Sequence, residues 1–141
     1  MDVSIEEKRV WIYAMVAIGV PVVYFAIILG RLRTTGADEI AYAGPMLTAI
    51  VVAIAANVGA NIVAGMLSPK EANRRDERDA DIQLYGRRPE FYVLAVGVVA
   101  ALGLTLAEFA HFWIANTIYL AFVLSALTSS AARIVAYRRG F

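Results

Sequence analysis

The chain has 141 residues, of which 60% are hydrophobic and 18% charged, so it is more apolar than a typical soluble domain of this length. Its formal net charge is +1, which provides no strong field for nucleic acid, and we expect no nucleic-acid partner. The chain contains no cysteine, which excludes disulfides, thiolate catalysis and cysteine-ligated metal centres.

The apolar residues are concentrated in four runs without a charged residue, each close to or above the roughly 17–25 residues that cross a membrane. Helices of a soluble bundle usually keep a polar stripe along their exposed side. The sequence therefore predicts an all-α integral membrane protein with four transmembrane helices in an up-down-up-down bundle. We expect a single domain, residues 1–141, with helices at about 10–29, 41–67, 90–107 and 112–134 and a helical cytoplasmic loop at 68–89.

The basic residues around these helices predict the orientation of the chain. All of them except Arg31 and Arg33 lie before the first run, in the middle loop or after the last run, which share one side of a four-helix bundle. Basic residues next to membrane helices are retained in the cytoplasm. We therefore predict a multi-pass protein of the inner or plasma membrane, with both termini and the middle loop in the cytoplasm.

The second predicted helix carries two asparagines in an otherwise apolar run. At 3.6 residues per turn, Asn57 and Asn61 share a face with alanines, whereas bulky residues occupy the opposite face. Small residues allow close helix contact, and amides form hydrogen bonds between helices, so the asparagine face should contact protein. The bulky face, which should contact lipid, consists of Val51, Val58, Ile62 and Met66. The fourth helix has a comparable small and polar stripe at Thr117, Ala121, Ser125, Thr128 and Ala132.

Two interpretations of these stripes remain open. In the first, the two faces pack together or form a contact between protomers, and a homodimer is the default oligomer. In the second, the helices line a polar substrate path. The first run contains no glutamate of the kind found in small four-helix multidrug exporters, and no ionisable group lies deep in any run, which argues against coupled transport. The path would be formed by Asn57, Asn61, Ser125, Thr128 and Ser129.

The hydrophilic segment between the second and third runs is predicted to contain a short helix. Ser68 and Pro69 suit its start, Gly86 suits its end, and Pro89 would then open the third membrane helix. Acids and bases balance in this segment, which does not favour capture of anionic lipid. The segment is either a solvated connector or a docking surface for a partner. The docking residues would be Arg74, Arg75, Asp76, Glu77, Arg78, Asp79 and Asp81.

The sequence contains no motif for catalysis, metal binding or phosphate binding. A calcium loop starting at Asp79 would need glycine where Leu84 stands. Glu108 and His111 are three residues apart, but two ligands make a poor metal site, and solvated side chains are the simpler interpretation. We therefore expect no metal, no cofactor and no enzymatic activity, with a lipid-modifying enzyme as the remaining alternative.

A weak internal similarity suggests two helical hairpins in series. Arg9 precedes Tyr13 as Arg88 precedes Tyr92, and the triplet Ile-Val-Ala occurs at 62–64 and again at 134–136. Repeats of two helices would share one orientation in the membrane. Chance similarity between apolar helices explains the pattern equally well.

The segment Arg75-Asp-Glu-Arg-Asp79 is followed by Ile82, Gly86 and an apolar helix. It resembles a group of small uncharacterised prokaryotic four-helix membrane proteins with a D-E-R-D…I…G cytoplasmic loop, some of them encoded beside helix-turn-helix regulators. The match covers about residues 74–93. The resemblance implies a regulated or regulating membrane partner and supplies no catalytic residue.

These observations together predict a non-enzymatic scaffold or regulatory subunit. It would lie among membrane lipids as a homo-oligomer and engage a protein partner through its charged cytoplasmic loop. The alternative is a small oligomeric transporter or channel with a polar path at Asn57 and Asn61.

Overall fold

The computed structural model describes residues 5–36, 39–67 and 77–139, and these residues form helices and short connections without a strand. The helices are α1 (Ile5–Leu32), α2 (Ala43–Leu67), α3 (Glu77–Leu106) and α4 (His111–Arg139). All four are long and apolar enough to cross a membrane, which confirms the predicted all-α, multi-pass membrane class. The up-down-up-down arrangement and the sidedness of the helices stay predictions.

The start of the third helix differs from the predicted one. The helix begins at Glu77 instead of near residue 90, and it continues through Gly86 and Pro89. Gly86 lies inside the helix, where the side chain of Arg133 packs against it. A Cβ at this position would lie 2.5 Å from Nε of Arg133. Tertiary packing therefore overrides the local stop signal. Of the predicted loop, residues 68–76 lie outside the described residues, and 77–89 belong to α3.

The helices pack in a row, in the order α2, α1, α4, α3. Among the described residues, α1 packs on both α2 and α4, and α4 makes its largest contact with α3. Gly97 of α3 faces Ala121 of α4 so closely that no Cβ fits at position 97 without displacing Ala121. Small residues at such a crossing let two helix backbones approach each other. The row places α2 and α3 at its two edges.

One buried cluster joins α1 to α4 near the start of α4. The hydroxyl of Tyr24 donates a hydrogen bond to Oδ1 of Asn116 at 2.6 Å, and Nδ2 of Asn116 donates to the carbonyl of Phe112 at 2.8 Å. Around these groups, the ring centroids of Tyr24 and Tyr119 are 4.8 Å apart. Because lipid offers no hydrogen-bond partner, the amide is stable there only with such internal partners.

A second buried cluster joins the start of α1, the first turns of α3 and the end of α4. Its members are Val10, Ile82, Ala136 and Tyr137. Ile82 is completely buried, with 0% of its surface exposed. The cluster anchors the first turns of α3, which the sequence pattern predicted as a separate loop helix.

Candidate functional site

The two asparagines of α2 bond mainly to their own helix. Nδ2 of Asn57 donates to the carbonyl of Ala53 at 3.0 Å, and Nδ2 of Asn61 donates to the carbonyl of Asn57 at 2.7 Å. Both Oδ1 atoms are buried and accept no hydrogen bond from the described residues. Ala49, on the same face, is buried against α1, and the bulky face of α2 is exposed. The asparagine stripe therefore faces α1.

The stripe of α4 faces a different neighbour. Ala121 lies against Gly97 of α3, and Ser125, one turn further along the same side, is buried. The hydroxyls of Ser125, Thr128 and Thr117 each donate to a carbonyl of their own helix, at 2.8, 2.7 and 2.7 Å respectively. The described contacts thus pack the α2 stripe on α1 and Ala121 on α3, so the two stripes are not brought together within one chain. A contact between protomers stays a prediction.

A groove lies between α1, α2 and α4 on one side of the row. Its volume is about 420 Å³, and we call it the lateral groove. Most of its lining is apolar, and only Asn57 among the five residues of the predicted polar path borders it. The groove is bordered by Tyr13 and Pro21 of α1, Met46, Ile54 and Asn57 of α2, and Phe122 and Ala126 of α4, among others.

The other predicted path residues lie elsewhere. Asn61 borders a separate recess of about 510 Å³ together with Arg9, Asn57 and Gly65, which we call the Arg9 recess. Ser129 is almost completely buried, and its hydroxyl has no hydrogen-bond partner among the described residues. The structure therefore does not assemble the predicted residues into one polar path.

The predicted docking segment divides into a buried part and an exposed part. Residues 74–76 lie outside the described residues, so the predicted roles of Arg74, Arg75 and Asp76 are not described by the structure. Asp79 is buried and accepts a hydrogen bond of 2.7 Å from the hydroxyl of Tyr137. Asp79 is therefore part of the fold, and its carboxylate does not face a partner.

The next residue upstream of Asp79 also contacts α4, although it remains exposed. A guanidinium nitrogen of Arg78 donates to the carbonyl of Tyr137 at 3.2 Å, and its guanidinium carbon lies 5.7 Å from the centroid of the Tyr137 ring. Glu77 and Asp81 are exposed. The first turns of α3 are thus attached to α4 along one side only.

The outer side of the same turns carries a continuous exposed stripe. Asp81, Leu84, Tyr85 and Arg88 follow the spacing i, i+3, i+4 and i+7, which places them on one helix face. Leu84 is 60% exposed and Tyr85 is 50% exposed. We call these four residues the α3 stripe. Of these four residues only Asp81 belongs to the predicted docking set, and Leu84, Tyr85 and Arg88 follow it on the helix that continues through Gly86.

Two further ionic contacts hold the helix ends together and were not predicted. Nε of Arg138 lies 3.0 Å from Oε1 of Glu7, which joins the end of α4 to the start of α1. Arg133 donates to the carbonyl of Gln83 at 3.1 Å and lies 3.9 Å from a carboxylate oxygen of Glu90. These partners are far apart in the chain, so no local pattern pairs them.

The connection between α3 and α4 brings Glu108 and His111 to one recess of about 560 Å³, which Tyr42 and Phe112 also border. Glu108 has a positive φ of 60°, and both Glu108 and His111 are exposed. Among the described residues, no group of three or more histidine, aspartate or glutamate side chains is close enough to hold a metal ion. Comparison with known proteins finds no matching family model, no similar curated protein and no similar solved structure.

Proposed function

We propose that the chain is a non-enzymatic scaffold or regulatory subunit of the inner or plasma membrane that binds a protein partner through the α3 stripe. In this proposal both termini and the first turns of α3 lie in the cytoplasm, as the distribution of basic residues predicts. The observation that carries the proposal is the exposed stripe itself. Two large apolar side chains, Leu84 and Tyr85, are half exposed or more between charged neighbours on a helix whose opposite face is buried.

The buried face makes the stripe a rigid binding surface. Ile82 is completely buried and Asp79 bonds to Tyr137, so the backbone of these turns is held against α4. A surface that is ordered before binding loses less conformational entropy when a partner docks. Anchors at i, i+3, i+4 and i+7 are also the spacing by which helices are recognised in apolar grooves.

The charges around the stripe favour a protein over a membrane surface as the partner. Asp81 lies at one end of the stripe and Arg88 at the other, and exposed Glu77 and Arg87 add one charge of each sign. A surface with both signs gains little from anionic lipid, which binds clusters of basic residues. A complementary protein surface has an apolar centre, a positive charge that faces Asp81 and a negative charge that faces Arg88.

The test uses a photo-reactive amino acid at residue 84 of the full chain in membranes. We expect a cross-link from residue 84 to one defined protein, and none from residue 99, which is exposed on the same helix. Leu84→Ala combined with Tyr85→Ala should remove the partner from the purified complex. The matched control is Val98→Ala with Val99→Ala, two exposed residues of α3 outside the stripe. Equal partner recovery from both double variants would contradict the proposal.

The second candidate is a small oligomeric transporter or channel, and it is supported by the position of Asn57 beside the lateral groove. The mostly apolar lining and the absence of the serines and threonines of α4 from that lining favour the scaffold. Reconstituted protein in planar bilayers tests the alternative. A conductance that disappears in Asn57→Leu and persists in Val51→Leu, an exposed residue of the same helix, would support transport.

A further inference from the structure

We propose that the lateral groove and the Arg9 recess together bind one phospholipid, with an acyl chain in the groove and the phosphate at Arg9. This proposal does not depend on the function of the α3 stripe. It concerns the other side of the row, where α2 and α4 both pack on α1 and leave a space of about 420 Å³ between them.

The walls of the groove select a hydrocarbon ligand. Side chains such as Ile54, Phe122 and Ala126 form the walls, and Asn57 and two tyrosines are the polar exceptions. The groove lies along helices that are long and apolar enough to cross a membrane. In a bilayer such a space is next to lipid tails, and a polar molecule would lose its hydration there without compensation.

Along each helix the groove is about as long as one leaflet is thick. On α1 it runs from Tyr13 to Pro21, about 12 Å at the helical rise per residue. On α2 it runs from Met46 to Asn57, about 16 Å by the same rise. One leaflet contributes about 15 Å of hydrocarbon, half the thickness of a bilayer core. On each of these helices the groove is therefore long enough to take one acyl chain.

The Arg9 recess supplies the place for the headgroup. It has a volume of about 510 Å³, and Asn57 borders both this recess and the lateral groove. Arg9 immediately precedes Val10, where the apolar part of α1 begins, which places its guanidinium near the membrane interface. A guanidinium binds phosphate oxygens through paired, charge-assisted hydrogen bonds. Exposed Lys8 adds a second positive charge beside it.

An apolar groove that ends at a cationic recess matches an amphipathic ligand with an anionic headgroup. The ligand class is thus a phospholipid of the leaflet on the side where α1 begins. The other candidate occupant is an apolar helix of a second copy of the chain, and the experiment distinguishes between the two.

The experiment measures lipid bound to the full chain by native mass spectrometry in mild detergent. Phosphatidylglycerol is titrated, and diacylglycerol, which has the same chains without the phosphate, serves as the second probe. We expect one phosphatidylglycerol per chain. Arg9→Gln should weaken phosphatidylglycerol by about tenfold, the loss expected for a charge-assisted contact of this kind, and leave diacylglycerol unchanged. The control Lys8→Gln should have a smaller effect.

Filling the groove tests the acyl-chain position separately. Ala53→Phe with Ala126→Phe places two rings in the lateral groove, and binding of both lipids should fall by about tenfold or more. The matched control, Ala55→Phe with Ala131→Phe, places the same rings on exposed positions of the same two helices and should bind normally, which also shows that the added bulk does not prevent folding.

Three results would overturn the proposal. The first is lipid retention that is equal in the groove-filling and control variants, and the second is the absence of bound lipid from the unmodified chain. The third is a disulfide between two chains formed in the membrane by Ile54→Cys, which would place a second copy in the groove.

Discussion

The closest contact between two helices, Gly97 against Ala121, leads to a prediction that can be worked through quantitatively. Gly97→Ala adds a methyl group where the nearest atom is the Cβ of Ala121, with the Cα of the same residue at 3.3 Å. The helices α3 and α4 must move apart to accept it. Overpacking of this kind costs about 1–3 kcal/mol. Alanine is the better helix former by about 1 kcal/mol, so the net loss of stability is smaller than the packing cost.

A control on the same helix removes the propensity effect. Gly103 has nothing within 4 Å of an added Cβ, so Gly103→Ala gains helix propensity without a clash. The difference in unfolding free energy between the two variants should therefore be about 1–3 kcal/mol, with Gly97→Ala the less stable. The assay is unfolding by sodium dodecyl sulfate in mixed micelles, followed by far-ultraviolet circular dichroism.

A second substitution tests the geometry directly. Ala121→Gly removes the methyl group that meets the new side chain in Gly97→Ala, so the double variant should recover most of the lost stability. Non-additive recovery is the signature of two groups in contact. Equal stability of Gly97→Ala and Gly103→Ala, or no recovery in the double variant, would refute the close crossing of α3 and α4.

Three further experiments test the other contacts by the same unfolding assay. In a double-mutant cycle, Asp79→Ala and Tyr137→Phe should show a coupling energy of about 1.5–3 kcal/mol, the range for a hydrogen bond to a charged group, and additive effects would contradict the bond. Ile82→Ala should lower the unfolding free energy by about 2–5 kcal/mol, because Ile82 is completely buried; a loss below 1 kcal/mol, the size of a surface effect, would mean that this helix face is not packed on α4. Tyr24→Phe should cost about 0.6 kcal/mol, the average for hydrogen bonds between membrane helices, and at most about 1.7 kcal/mol; this cost should disappear when Asn116 is already replaced by leucine.

Three residues of the D-E-R-D…I…G segment pack α3 against α4. Asp79, Ile82 and Gly86 follow the spacing i, i+3 and i+7, and all three are buried on the side of α3 that packs on α4. A helix that packs at this place needs a carboxylate for Tyr137, an apolar residue for the cluster, and no side chain beside Arg133. In this chain these three residues therefore serve helix packing, and none of them belongs to the α3 stripe.

Much of the candidate site could not be predicted from the sequence, for a definite physical reason. The exposed and buried faces of α2 follow from a period of 3.6 residues, which is local information. The pairs Asp79–Tyr137 and Glu7–Arg138 join residues from different helices, and local periodicity does not say which helices are neighbours. The stripe of α4 was expected to meet α2 within the chain or between protomers, and within the chain Ala121 meets α3.

The amino-acid sequence by itself determined the class of this protein, because four uncharged runs of sufficient length have few stable alternatives to membrane-spanning helices. It also determined which side of α2 is small and which is bulky. The tertiary structure decided the order of the helices in the row, the extension of α3 through Gly86 back to Glu77, and the positions of the lateral groove and the α3 stripe. These features arise where side chains of distant segments fit or fail to fit one another, so only the packed structure defines them.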